Sequence, residues 1–312
     1  MNSTNHQYYN QHQSQHQPQH KPNNIILEDG YNSDYIYSMI TALFYTPCDG
    51  TNKLMNSDTS SFNSYYVQEF IKAKFIYPIH RSISIESGTV NKLRLYLYDC
   101  GWLKNDDKHI LTKGDLDRFY SFLVCEILEY KLSISKIEQD TNKAIDLSLD
   151  LIRISDKHML DPISITSTDK DVGSGEIGKV INLSLLVNRW IRSEILETSI
   201  SYKFEVLPYI IPVYLDIRDS DTGLNKRYVN VMEGLNFPDN GDKSQSMLIW
   251  EIHSMICQTD KGECYTIVID HNDDLMVFSD KHIPSNWKVD VTNISVVKKI
   301  MREVRFVFYK LQ

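Results

Sequence analysis

The pattern of apolar and polar residues changes character about halfway along the chain. In the first half, apolar positions recur at helical spacing. Residues 34–45, DYIYSMITALFY, place Tyr35, Met39, Ala42, Leu43 and Tyr45 roughly on one face, as an amphipathic helix does. The turn formers DGYNS at 29–33 lead into it, and Pro47 and Gly50 close it. Asp34 falls in its first turn, where an acidic side chain satisfies free N–H groups and complements the helix dipole. By itself, then, Asp34 reads as a helix cap. Residues 49–63 are polar and read as a loop, and a second helix is predicted over 65–75. The clearest helical period spans 115–130. There Leu116, Phe119, Tyr120, Leu123, Val124, Ile127 and Leu128 follow the i, i+3, i+4, i+7 rule. Thr112 followed by Asp115 resembles the start of a capping box.

After residue 145 the runs become rich in Val, Ile, Tyr and Phe with partial alternation. Strands are predicted at 163–168, 203–217, 227–232, 247–258, 264–270, 275–280 and 304–311. A helix is predicted at 180–191 between them. Helices first and strands second indicate an α+β fold, a helical lobe packed on an antiparallel sheet. The expected division is a helical lobe at about 24–145 and a β lobe at about 146–312. Residues 1–23 are Gln, His and Asn almost throughout. With no apolar period they cannot support a core and are expected to be a disordered tail. His6, His12, His16 and His20 in that tail read as low complexity rather than as metal ligands.

Composition narrows the class. Of 312 residues, 42% are apolar and 24% charged, which is the balance of a soluble globular domain able to bury a core without disulfides. The net charge of −8 argues against nucleic acid as a main partner. No apolar run reaches the ~18 residues that span a bilayer, and the polar N-terminus is not a secretory signal. The five cysteines, Cys48, Cys100, Cys125, Cys257 and Cys264, form no Cys-x-x-Cys pair. No zinc ribbon or disulfide framework is expected, and the thiols are expected to be reduced in an intracellular setting. No cofactor or metal is called for. The abundance of Asn, Ile, Lys and Tyr is what an AT-rich genome, such as that of an amoebal giant virus, would encode.

Several features invite chemistry. A cysteine hydrolase needs a thiolate, an imidazole to activate it and a third group to orient the imidazole, with the thiol at a helix N-terminus. The turn and helix at 29–45 have that architecture, but Asp34 stands where the thiol would be. Cys264 follows the turn DKGE and starts a strand. It is either a nucleophile served by His253 or His271, or a buried strand cysteine behaving as a small hydrophobe. GSGEIGK at 173–179 lacks the spacing of a phosphate loop and reads as a plain loop. Gly234 and Gly241 flank a loop containing Pro238, either a lid or a connection.

Residues 29–44, DGYNSDYIYSMITALF, resemble the cysteine box of the ubiquitin-specific proteases. In that box Asn, Gly, Asn and Thr lead into the nucleophilic Cys, then Tyr, two residues, Ser and an Ala-Leu pair. Asn32, Ser33, Tyr35, Ser38, Ala42 and Leu43 match in register. Residues 114–128 are similar to the family helix that begins Gln-Asp-x-x-Glu-Phe, with Asp115 and Phe119 matching. Residues 207–217, LPYIIPVYLDI, look like the family's Leu-Pro strand, and 247–258 like the strand before the catalytic histidine. The family then has Gly-His-Tyr where this chain has Glu263, Cys264 and Tyr265, and Phe-Asp-Asp or Phe-Asn-Asp where it has Phe278, Ser279 and Asp280. The resemblance covers roughly 25–312 and lies nearest compact viral thiol proteases without zinc fingers.

The resemblance implies a papain-like fold whose catalytic positions are all substituted. Asp34 stands for the nucleophile, Cys264 for the histidine and Ser279 for the third residue, while Asp29 falls on the oxyanion-hole Asn and Asp280 keeps the neighbouring acid. Asn32, Tyr35, Trp250 and Tyr265 are the ligand-contact positions it implies. An aspartate is a poor nucleophile toward amides, and a thiol cannot replace an imidazole as base. Acidic residues at 29 and 34 would also oppose an oxyanion. The expected protein is a pseudo-peptidase that binds ubiquitin or a ubiquitin-like tail in a host cytoplasm or a virion. The alternatives are a rewired thiol protease using Cys264, and a structural protein with no ubiquitin contact.

Overall fold

The computed structural model describes residues 30–138, 143–159, 180–192, 200–238, 247–279 and 288–312. The tail at 1–23, Asp29, the strand expected at 163–168, the loop at 173–179, Gly241 and Asp280 lie outside the described residues.

The chain opens on α1, Asp34–Phe44, in which every residue is buried. The sequence predicts one buried face. The structure buries the other as well, because α1 lies between the sheet and the other N-terminal helices. Polar residues on its sheet side are accommodated through the backbone: Thr266 donates from Oγ1 to Ser38 O at 3.0 Å and Ser254 to Ala42 O at 2.6 Å. These bonds hold α1 along two central strands.

Next comes α2, Asp49–Asn56, where a polar loop is expected. Its start is fixed by Cys48 and Thr51: Cys48 N donates to Thr51 Oγ1 at 3.1 Å, and Leu54 and Met55 are buried. Two buried apolar side chains are too short a pattern to betray a helix. The helix predicted at 65–75 is α3, Phe62–Ile71, which widens into a π-helical turn, Lys72–Ile76, and ends in α4, Tyr77–His80. Then comes α5, Ser87–Asp99, which buries Val90, Leu93, Arg94 and Leu97. Its stripe has full helical spacing, but Arg94 on the buried side disguises it. The helix predicted at 115–130 is α6, Leu116–Tyr120, continuing as π-helix through Ser121–Ile127.

The change to strand falls at Leu132 rather than near 146. β1, Leu132–Glu138, and β2, Lys143–Leu149, pair antiparallel. β3, Ile152–Ser155, follows. The helix expected at 180–191 is a short strand, β4, Val180–Asn182, running into α7, Leu183–Arg192. Then come β5, Ile200–Phe204, and β6, Ile210–Asp216, with β7, Tyr228–Asn230, and β8, Leu235–Pro238. The long strand β9, Met247–Gln258, is followed by β10, Cys264–Ile269, and β11, Leu275–Phe278. α8, Ile294–Glu303, leads directly into β12, Val304–Leu311.

The main sheet runs β11-β10-β9-β12-β6-β3, with β8 also on β9; β1 lies between β2 and β5 in a second sheet, and β4 pairs with β7. All main-sheet pairings are antiparallel except β3 on β6. Alternation along the strands splits the sheet's side chains between two cores. Ile256, Cys264, Val268, Phe278, Phe306 and Phe308 pack with α1 and the other N-terminal helices. Met255, Cys257, Ile267, Val307 and Tyr309 pack on the far side with residues of α7 and α8.

Candidate functional site

The site is built where the N-terminus of α1 meets the start of β10. Before α1, Ser33 Oγ accepts from Gly30 N at 2.8 Å and donates to Gly30 O at 2.9 Å, closing the 30–33 turn. Asn32 takes a left-handed conformation with φ 54°, which Asn tolerates better than most residues. Its amide donates to Leu111 O at 3.2 Å, tying the helix start to the loop before α6. Ser33 O accepts from the N–H groups of Ile36 and Tyr37 at 2.9 and 3.1 Å.

Asp34 begins α1, but its carboxylate is turned to the start of β10 instead of capping its own helix. Oδ2 accepts the backbone N–H of Cys264 at 2.7 Å and pairs with the Lys113 ammonium. Lys113 also donates to Gly262 O at 2.6 Å. Gly262, with φ +78°, sits in the 259–263 hairpin between β9 and β10, a turn closed by Thr259 N to Glu263 O at 2.9 Å. Gln258 Nε2 donates to Gly262 O at 3.2 Å and reaches Cys264 Sγ at 3.8 Å. Asp34 as a simple cap is therefore corrected. A helix terminus can find its bonding partners locally, whereas the Cys264 N–H opens a strand and would otherwise be a buried orphan.

Cys264 is 2% exposed. Burial pushes its thiol well above the ordinary range, and the Asp34 charge beside it pushes the same way, with Lys113 in opposition. It is a neutral thiol. Neither candidate base reaches it. His253 is buried in the middle of β9 with Nε2 3.4 Å from Leu43 O, at the far end of α1. Burial lowers its pKa to about 4. His271 is exposed in the turn after β10, seven residues from Cys264, or roughly 20 Å along an extended strand.

Asp34 and Cys264 are thus brought together. Ser279 is placed differently. The register pairs Thr266 with Phe278, so Ser279 falls level with Tyr265 and not with Cys264. It lines a cavity of about 520 Å³ with Tyr265, Ile267, Val277 and residues of α8, on the sheet face away from α1.

Among the expected ligand contacts, Asn32 is half-buried at the mouth of the cleft. Tyr35 and Trp250 are fully buried, so these two serve the cores rather than a surface. Tyr35 accepts a hydrogen bond from Trp102 Nε1 at 3.0 Å and packs edge-on against Phe119. Tyr265 donates to Glu303 Oε2 at 2.6 Å on the far face. Lys113 and Gln258 went unnoticed in the sequence; a lone lysine in a loop and a glutamine ending a strand carry no distinguishing pattern. Among the described residues no group of three or more His, Cys, Asp or Glu side chains could hold a metal ion, and no helix is long and apolar enough to cross a membrane.

No protein-family model matches the sequence, and no curated protein matches it. Solved structures do resemble the fold. An essential yeast splicing factor superposes with a TM-score of 0.56 at 13% identity, over 93% of this chain and 70% of that one. The Saccharomyces cerevisiae Pan2 pseudoubiquitin hydrolase–RNA exonuclease module, in complex with RNA, gives 0.57 at 13% identity, over 93% of this chain and 54% of that one. A SAGA DUB module containing Ubp8 and bound to monoubiquitin gives 0.55 at 11% identity, over 93% and 70%. The chain spans about half the length of the Pan2 chain it matches. With helices packed on a largely antiparallel sheet, the chain has the α+β, papain-like fold of the ubiquitin hydrolases.

Proposed function

We propose that the protein is a non-catalytic ubiquitin-hydrolase-like module that works by binding ubiquitin or a ubiquitin-like tail in the cleft between α1 and the β9–β10 hairpin. The observation that carries this reading is the state of Asp34. The group at the nucleophile position is a carboxylate already committed to a backbone N–H and an ammonium. The neighbour at the base position is a buried neutral thiol. Neither group can attack an amide or relay a proton at neutral pH. A rewired protease using Cys264 is opposed by the same burial and by the distance of both histidines. The similar folds include a pseudoubiquitin hydrolase and a module bound to monoubiquitin, which favours ubiquitin as the ligand to test first.

The test has two arms. The purified chain is incubated with a fluorogenic ubiquitin conjugate, and isotopically labelled ubiquitin is titrated with the chain by NMR. Shift changes without turnover are expected. Turnover would overturn the non-catalytic reading. An unchanged ubiquitin spectrum at millimolar protein would favour a structural role without ubiquitin contact.

A further inference from the structure

The loop before α6 carries Lys113, while Gly262 belongs to the hairpin on the β side. The Lys113 ammonium is held between that hairpin's carbonyl, at 2.6 Å, and the Asp34 carboxylate. The Asp34 side chain is only 9% exposed and the Lys113 side chain 34%. One cation therefore joins the loop before α6 to both the hairpin and the start of α1, beside the Asp34–Cys264 contact. A partly exposed ion pair of this kind is weak enough to exchange. Yet Asp34 cannot be left without a cation cheaply, since an unpaired buried carboxylate is strongly disfavoured. The position is a seat for a positive charge, and the chain fills it from its own sequence.

We propose that Lys113 is a built-in occupant of a cation seat formed by Asp34 Oδ2 and Gly262 O, and that a partner opens the cleft by placing its own basic side chain there. This deepens, and rests on, the reading of the cleft as a binding site. Displacement frees the loop before α6 from the hairpin while Asp34 keeps its charge compensated. An arginine suits the seat best, because its planar fork can donate to a carboxylate and a carbonyl together. The hairpin's internal bonds through Thr259 and Gln258 do not involve Lys113, so the hairpin moves as a unit.

The experiment reads Cys264 as a reporter. The full chain and its Lys113→Met and Lys113→Arg variants are treated with iodoacetamide, and each cysteine is followed by mass spectrometry. The expected result is a rise in Cys264 alkylation on the order of tenfold for Lys113→Met, as for release of a state populated at about one part in ten. Lys113→Arg should stay protected, and Cys125 and Cys257, both buried in the cores, should remain unreactive in all three. No rise at Cys264 would overturn the proposal, whether or not ubiquitin binds. Exposure of Cys125 and Cys257 together with Cys264 would overturn it too, because Lys113 would then be holding the fold and not the cleft. Labelled ubiquitin should bind Lys113→Met more tightly, and adding Asp34→Asn to that variant should remove the gain. If the gain survives Asp34→Asn, the seat is refuted. If Cys264 opens but ubiquitin binds no variant, the gate stands and the choice of ubiquitin fails.

Discussion

The carboxylate of Asp34 and the backbone N–H of Cys264 meet at 2.7 Å across 230 positions of sequence. This bond joins the first turn of α1 to the first residue of β10 and is a structural tie between the two.

Removing that tie should weaken the fold. In Asp34→Ala, the Cys264 N–H and the Lys113 ammonium lose their acceptor together. A loss of about 1–3 kcal/mol is expected, the usual cost of stranding a buried donor, measured as a lower urea midpoint at unchanged slope. Asp34→Asn retains an acceptor oxygen and should lose less.

Restoring peptidase-type residues should restore part of the chemistry. Asp34→Cys with Cys264→His would set a thiol at the helix N-terminus beside an imidazole. The introduced thiol should then alkylate with an apparent pKa below the ordinary ~8.5, whereas Asp34→Cys alone should not. Adding Ser279→Asp should bring no further decrease, since Ser279 lines the cavity on the opposite face of the sheet. A further drop in the triple variant would show that position 279 can reach the imidazole after all.

Acid should destabilise the protein through His253. Its pKa is lowered to about 4, chiefly by burial, while the unfolded chain protonates near the ordinary 6.5. The unfolded state thus binds more protons below pH 6.5, and stability falls as pH drops from about 6.5 toward 4, by about 3 kcal/mol in all. His158, also lowered by burial, acts in the same direction. Denaturant titrations across this range should show the slope, and His253→Gln should flatten most of it.

Gly114 should tolerate no side chain. A Cβ there would lie 2.4 Å from Cζ2 of Trp102 and 3.1 Å from the Tyr35 ring. Trp102 cannot give way easily, as it donates to Tyr35 and packs against Phe119 and Phe122. Gly114→Ala should therefore destabilise by about 1–3 kcal/mol, the range for an overpacked core, read as a lower thermal midpoint.

Much of the architecture was legible because apolar periodicity is local. The helix at 34–45, the long strand at 247–258 and the terminal strand at 304–311 follow from residues that are neighbours in sequence. The failures have equally local causes. α5 hid behind Arg94 on its buried stripe, α2 buries too few apolar residues to show a period, and β1 loses its alternation at Ser135 and Lys136, which left the alternating Ile145, Leu147 and Leu149 of β2 without an evident partner strand. Tyr35 and Trp250 were placed at a ligand surface because motif matching gives a residue's position in a box and says nothing of the direction its side chain takes.

By itself the sequence determined the residue types at positions 34, 264 and 279 and that no histidine is among them, since identity needs no coordinates. Only the tertiary structure decided what those residues do. The bond from Asp34 to Cys264, the Lys113 bridge to Gly262 and the facing of Ser279 away from both depend on how distant strands pair and which way their side chains alternate. A shift of one residue in strand register reverses every side chain, and that register is a property of the assembled sheet rather than of any segment within it.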